Sequence, residues 1–196
     1  MEEGGTVPAT EPRPLRADAQ RNRDRLLAVA ARAFSEDGPE VTLDSIAKDA
    51  GVGIGTLYRH FPTREALVEA AYRNELARVC DAADDLLAAM PPDQATRQWM
   101  DGFIHYMMTK RDMADALRAV VASGGDPFRE SLRRLLRAIT TLLEAGAAAG
   151  TIRADVRPGD VLASLSGVSL AAGEPAQRDQ ADRMLDLLMD GLRYQG

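Results

Sequence analysis

Apolar residues recur at intervals of three and four along most of this chain, which is the spacing of one buried helix face. No stretch alternates apolar and polar residues as a half-buried strand does. The first helix is predicted from near Asp18 to Asp37, where Gly38 and Pro39 end it. Its packing face contains Leu26, Leu27, Ala30, Ala31 and Phe34. The pattern therefore predicts an all-α protein.

Two short helices with a glycine turn between them are predicted from Thr42 to Arg64. Thr42 is suited to cap the first of these helices, and Gly51 supplies the left-handed residue that ends it. The second helix is predicted from Ile54 to His60. Because a helix of about two turns is unstable alone in water, neighbouring helices are expected to pack against it.

The second of these short helices has an inward and an outward side. Leu57 and Phe61 are four residues apart, so they point the same way and are predicted to pack inward. The side chains left for other faces are Ile54, Thr56, Tyr58, Arg59 and His60. Short crossed helices with a polar second helix are typical of a helix-turn-helix, whose second helix enters the DNA major groove.

The letters IAKDAGVGIGTLYRHFPTREAL, residues 46–67, resemble the TetR-type transcriptional regulators, and the resemblance extends over roughly residues 21–75. It implies that the backbone at Gly53 and Gly55 approaches the DNA duplex. Many relatives carry Ser or a similar polar residue at the position of Gly53, so specificity is expected to depend more on Thr56 and Arg59. The resemblance further implies phosphate donors at Thr42, Thr56, Tyr58 and Arg64, and contacts to bases or sugar edges from Ile54, Arg59 and His60.

A single long helix is predicted from Arg64 to Met90, because the apolar spacing continues without a breaker until Pro91-Pro92. At ~1.5 Å per residue it is about 39 Å long, so it is expected to link two domains. Five more helices are predicted at residues 93–110, 112–121, 127–148, 158–172 and 175–194, which makes about nine helices. The predicted units are a disordered arm at 1–15, a helix-turn-helix DNA-binding domain at 16–63, and a C-terminal ligand-binding and dimerisation domain at 64–196.

The resemblance also implies a small-molecule cavity among the middle helices, and a mainly apolar lining favours a hydrophobic or amphipathic effector. The candidate lining residues are Leu86, Trp99, Phe103, Met107, Leu117, Val121, Leu136, Ile139 and Leu143. The last two helices have broad apolar faces, and such a pair can join the same pair of a second chain in a four-helix bundle. The predicted homodimer interface contains Val161, Leu162, Leu165, Val168, Met184, Leu185, Leu188, Met189 and Leu192.

The net charge of −6 is distributed unevenly along the chain. Residues 13–78 contain 11 Lys and Arg against 10 Asp and Glu, whereas residues 79–196 contain 13 against 17. Phosphate binding is therefore expected to depend on where the arginines of the first half lie rather than on total charge. Cys80 is the single cysteine, which excludes an intramolecular disulfide, and its apolar neighbours predict burial.

The sequence contains no pattern of catalytic chemistry. His60 and His105 lie in different predicted domains, and there is no nucleophile elbow, phosphate-binding glycine loop or carboxylate cluster. We therefore expect no enzyme activity, cofactor or metal, and the lack of a signal peptide or an apolar run of ~20 residues predicts a cytoplasmic protein. The hypothesis is a homodimeric repressor that a small ligand releases from a palindromic double-stranded DNA operator. The alternatives are a constitutive or nonspecific DNA-binding protein and, with less support, a helical enzyme.

Overall fold

A computed structural model describes residues 13–171 and 177–193, and the described part of the chain folds into nine α-helices. The prediction of an all-α fold is confirmed, with one isolated antiparallel bridge between Ile152 and Arg193 within that part. A 3-10 turn at Gly38–Glu40 joins the first two helices. The helices are α1 Arg13–Glu36, α2 Leu43–Asp49, α3 Ile54–His60, α4 Arg64–Ala89, α5 Pro92–Asp112, α6 Ala114–Ala122, α7 Ser131–Ala148, α8 Pro158–Ala171 and α9 Arg178–Leu192.

Local capping signals fix the ends of the short helices. Thr42 Oγ1 accepts a hydrogen bond from the backbone N–H of Ser45 at 3.1 Å, which caps α2. Thr63 Oγ1 accepts from the backbone N–H of Ala66 at 3.0 Å, which caps α4. Gly51 has a φ of +67°, in the left-handed region that glycine adopts without strain. The turn at Gly51 precedes α3 and the cap at Thr63 follows it, so both ends of α3 are set locally. The helix spans the predicted residues, Ile54–His60.

The predicted start of the first helix is wrong by more than one turn. The helix α1 begins at Arg13 rather than near Asp18, so residues 13–15 belong to a helix and not to the predicted arm. The rest of that arm, residues 1–12, lies outside the described residues. The predicted boundaries of the last two helices at residues 172, 175 and 194 lie outside them as well.

The predicted start of α7 is also wrong, because the helix begins at Ser131 and not at Pro127. Residues 127–130 form turns instead. The ring of Phe128 packs edge-on against Tyr72, with ring centroids 5.3 Å apart, and Lys110 Nζ lies 4.8 Å from the Phe128 centroid. These tertiary contacts hold Phe128 outside the helix, so the local start signal of the Asp-Pro pair is overridden.

The helix α4 is the centre of the fold. It runs for 26 residues and packs against α1, α5, α6 and α7. It therefore contacts both the helices that hold the helix-turn-helix and those of the C-terminal half. A movement of α4 would change both parts together. Its buried side chains are Leu67, Val68, Ala71, Tyr72, Leu76, Val79 and Ala83.

Three buried hydroxyl groups connect α4 to α5 and α7. The hydroxyl of Tyr72 lies 2.6 Å from that of Tyr106 and 3.1 Å from Ser131 Oγ, so one hydroxyl bridges two others. Burial raises the pKa of Tyr106 well above its ordinary value. The hydroxyls satisfy one another inside the core, which fixes the relative positions of the three helices.

Replacing Gly146 with alanine is expected to destabilise the protein by about 1–3 kcal/mol, the usual cost of overpacking a core. A Cβ at this position in α7 would lie 2.5 Å from Cδ1 and 2.8 Å from Cβ of Ile152, whose side chain is buried. Neither atom can be avoided without moving the chain after α7. Guanidinium denaturation at fixed protein concentration measures the loss as a lower midpoint.

The matched control for this variant is Gly102→Ala in α5. A Cβ at Gly102 would have Val79 Cγ2 as its nearest neighbour, at 4.0 Å, which is ordinary van der Waals contact. Alanine is also the better helix former by roughly 1 kcal/mol, so this variant is expected to be neutral or more stable. Equal midpoints for the two variants would contradict the close contact between Gly146 and Ile152.

Candidate DNA-binding face and ligand cavity

The helix α3 buries one side and exposes the other. Leu57 has no exposed surface, and Phe61 is 5 % exposed, so the predicted inward pair is buried. Tyr58 is 50 % exposed, and Arg59 and His60 are exposed as well. The outer side therefore offers a phenol, a guanidinium and an imidazole, all of which can hydrogen-bond to phosphates and base edges.

The start of α3 leaves its backbone open. Gly53 occupies the N-cap position without a side-chain cap, and Gly55 is exposed with nothing within 4 Å of the place a Cβ would take. Thr56 is exposed beside them. Because only the Thr56 hydroxyl lies within 4 Å of the place a Cβ would take at Gly53, and nothing does at Gly55, another molecule can approach this end of the helix closely.

Three of the predicted DNA contacts have a second role inside the protein. The Arg64 guanidinium lies 4.8 Å from the Phe34 ring centroid and donates a hydrogen bond to the Val41 carbonyl oxygen. Arg64 is half-buried and stabilises the start of α4, and its role as a phosphate donor stays a prediction. Ile54 is half-buried against the core, and Thr42 uses its hydroxyl to cap α2. The exposed part of the predicted set is therefore Gly53, Gly55, Thr56, Tyr58, Arg59 and His60, with Thr42 at its edge.

A cavity of about 620 Å³ lies between α5, α6 and the C-terminal end of α8. Its volume is in the range of small-molecule binding sites. Three predicted lining residues, Met107, Leu117 and Val121, contribute to its wall. The other lining residues are Lys110, Arg111, Ala114, Arg118, Ala122, Phe128, Ser169 and Leu170.

The other six predicted lining residues lie elsewhere. Trp99 is 2 % exposed, and together with Leu86 it borders a separate cleft between α4 and α5. Phe103, Ile139 and Leu143 are buried in the core. Leu136 is half-buried on α7 and does not line the cavity. Helical spacing identifies an apolar face, but it does not show whether that face packs against a helix or borders a void.

Most residues of the predicted dimer interface are buried in the core of the chain itself. A side chain already buried within one subunit has little surface to lose to a second, and the prediction that these residues form a dimer interface stays a prediction. Six of the nine predicted residues are at most 5 % exposed: Val161, Leu165, Val168, Leu185, Met189 and Leu192. Leu162, Met184 and Leu188 are half-buried. The exposed residues of α8 and α9 include Ala163, Ser164, Gly167, Leu170 and Leu187.

Other chemistry is sparse in the described ranges. Cys80 is half-buried, and burial raises its pKa to about 11, against a smaller opposing effect of Arg134. The thiol is therefore protonated near neutral pH and is a poor nucleophile. Across the described residues, no three His, Cys, Asp or Glu side chains are grouped to hold a metal ion. Every helix of that part is too short or too polar to cross a lipid bilayer.

Two family models match this chain. Residues 26–71 match the bacterial regulatory proteins of the tetR family, and residues 91–194 match the C-terminal domain of SbtR-like transcriptional regulators. The second match covers more than half of the chain, and the first covers the helix-turn-helix. The chain belongs to the TetR family. The resemblance read from residues 46–67 is thereby confirmed.

Solved structures extend the likeness over the whole TetR fold. A TetR transcriptional regulator from Streptomyces coelicolor is 56 % identical with a TM-score of 0.86, and the match covers 89 % of this chain and 99 % of that one. A TetR regulatory protein from Mycobacterium vanbaalenii is 38 % identical with a TM-score of 0.75, over 92 % of this chain and 100 % of that one. An HTH-type transcriptional regulator from Staphylococcus aureus (strain USA300) is 44 % identical over 54 residues, so the match spans 27 % of this chain and 29 % of that relative.

Membership of the TetR family makes this protein a transcriptional regulator, and the family is not one of enzymes. Sequence reasoning missed Lys110, Arg111, Phe128 and Leu170 in the cavity wall. The two cations end α5, where basic residues are ordinary helix-end charges, so nothing in the sequence distinguished them. Leu170 lies near the end of α8 among other apolar residues, so nothing in the sequence distinguished it as a cavity residue.

Proposed function

We propose that this TetR-family regulator is a homodimeric repressor that binds a palindromic operator and is released by a small hydrophobic or amphipathic ligand. The observation that carries the proposal is the exposed polar side of α3, with Tyr58, Arg59 and His60 turned outward while Leu57 anchors the helix. In a helix-turn-helix the second helix enters the major groove. The residues available for DNA contact are therefore also the ones that the protein leaves free of its own packing.

The exposed sides of α8 and α9 support a dimer. Ala163, Ser164 and Gly167 are small, so a second helix can approach closely, and Leu170 and Leu187 are 77 % and 72 % exposed. Large apolar side chains this exposed favour a protein partner. A twofold dimer through this face would present two α3 helices to successive major grooves about 34 Å apart.

The helix α6 connects the cavity to the DNA-binding part. It contributes Leu117 and Val121 to the cavity wall, and it contacts both α4 and the 3-10 turn Gly38–Glu40. A ligand that shifts α6 would therefore change the tilt of α4 and the separation of the two α3 helices. The ligand then weakens DNA binding. The loss of DNA-binding free energy equals the difference between the ligand's binding free energies for the tilted dimer and for the DNA-bound dimer.

The proposal is tested by footprinting the purified protein on the DNA upstream of its own gene, with and without a panel of metabolites. We expect protection of an inverted repeat and loss of protection with at least one compound. Equal affinity for scrambled DNA at the same salt concentration would favour a nonspecific DNA-binding protein. Specific binding that no compound releases would favour a constitutive regulator.

A further inference from the structure

Lys110 is a half-buried cation at the wall of the cavity. Its Nζ lies 4.8 Å from the centroid of the Phe128 ring, and no carboxylate in the described ranges lies within ion-pairing distance of it. Burial lowers the pKa of Lys110, since the cavity walls remove water from the ammonium. The aromatic face offsets only part of the desolvation cost of the ammonium, so an anionic group beside Lys110 would stabilise it further.

The cavity wall carries further positive charge. Arg111 and Arg118 also line it, and none of the described residues that line it is Asp or Glu. Arg118 forms an ion pair with Asp115 on its own helix, whereas Arg111 Nη1 donates only a long bond, 3.5 Å, to the Ser169 carbonyl oxygen. This concentration of cations occurs in the half of the chain where acidic residues outnumber basic ones.

A molecule that fills this cavity removes the remaining water from Lys110. A neutral occupant would leave the ammonium buried without a counter-charge, which costs free energy. An anionic group beside Nζ offsets that cost, and Met107, Leu117 and Val121 provide apolar surface for the rest of the molecule. The cavity wall therefore favours a ligand that has both an anionic group and an apolar body.

We propose that the cavity binds an amphipathic anion, with a carboxylate at Lys110 and Arg111 and an apolar body against α6. The inference rests on the proposed function, because it names the ligand class of that regulator. The head group would lie one aromatic ring away from α4, since Phe128 contacts Lys110 on one side and Tyr72 on the other. Charge recognition and the linking helix are thus adjacent.

The test is isothermal titration calorimetry on the full-length protein without DNA. The probes are two matched pairs, decanoate with 1-decanol and 4-butylbenzoate with 4-butylbenzyl alcohol. We expect at least one carboxylate to bind about tenfold to a hundredfold more tightly than its alcohol, the usual value of a charge-assisted hydrogen bond. Lys110→Met keeps the length of the side chain and should abolish this preference, whereas Lys110→Arg should retain it.

Two further variants separate the inference from a change of fold. Arg111→Met, at an exposed position, is expected to reduce the preference by a smaller factor. Arg133→Met, at an exposed position of α7 outside the cavity, is expected to leave it unchanged. The inference is overturned if neither carboxylate binds, if the alcohols bind as tightly, or if Lys110→Met keeps the preference while its circular dichroism spectrum is unchanged.

The outcomes also separate this inference from the proposed function. Calorimetry measures ligand binding without DNA. If a carboxylate binds more tightly than its alcohol but does not release the protein from the operator in the footprint, ligand-controlled repression is contradicted and the proposed ligand class is retained. Release of the operator by neutral compounds alone would contradict the ligand class and leave repression standing.

Discussion

Replacing Tyr58 with alanine is expected to weaken operator binding at least about thirtyfold and to leave the fold and dimer mass unchanged. The side chain is 50 % exposed on the outer side of α3, so its removal leaves no cavity in the core. One lost hydrogen bond to a phosphate costs about 1 kcal/mol or more, and a twofold dimer loses it twice, which gives about thirtyfold. Fluorescence anisotropy with labelled operator at fixed salt measures the change.

Two controls make this result specific to the DNA face. Tyr58→Phe removes only the hydroxyl, so an equal loss of affinity assigns the effect to that group. Arg133→Ala removes an exposed arginine of α7 and is expected to leave operator affinity unchanged. If the Tyr58→Ala dimer bound the operator as tightly as the wild type, the outer side of α3 would not be the DNA-binding face.

Replacing Trp99 with alanine is expected to cost about 3–5 kcal/mol of stability and to lower the Tm by about 10 °C. Trp99 is 2 % exposed, and its ring stacks on Phe103 with centroids 5.8 Å apart. Its Nε1–H donates to the Val79 carbonyl oxygen at 2.7 Å, so the variant loses both the packing of the ring and this hydrogen bond. Circular dichroism melting at one fixed protein concentration measures the shift.

The Trp99 variant also separates a core residue from a ligand contact. Tyr58→Ala is the matched control, because it truncates another aromatic side chain at an exposed position and is expected to change the Tm little. A similarly small shift for Trp99→Ala would mean that the indole borders open space. That result would contradict the placement of Trp99 in the core.

The elements that sequence reasoning predicted well depend on short-range chemistry. The caps at Thr42 and Thr63 and the turn at Gly51 act on groups within four residues of themselves, so the sequence specifies α2, α3 and the start of α4 directly. The predicted start of α7 was wrong because contacts between residues far apart in the chain decide it. Phe128 is held by Tyr72 and Lys110, which are distant along the chain and outweigh a local start signal.

The candidate sites divide in the same way. The exposed side of α3 follows from the burial of Leu57 and Phe61, which helical spacing already indicated. The resemblance assigned Arg64 to the DNA face, and the sequence did not show its contacts with Phe34 and Val41, which are not its neighbours in sequence. Apolar spacing likewise could not say which faces of α5, α7, α8 and α9 pack within the chain and which remain available to another molecule.

The sequence by itself determined the helical class, the helix-turn-helix and the TetR family, because caps, turn glycines and apolar spacing act over a few residues. Only the tertiary structure decided where the cavity lies, which side of α8 and α9 is exposed, and that Lys110 meets Phe128. Those features arise where several helices meet, and the packing of one helix against another is fixed by side chains far apart in the chain.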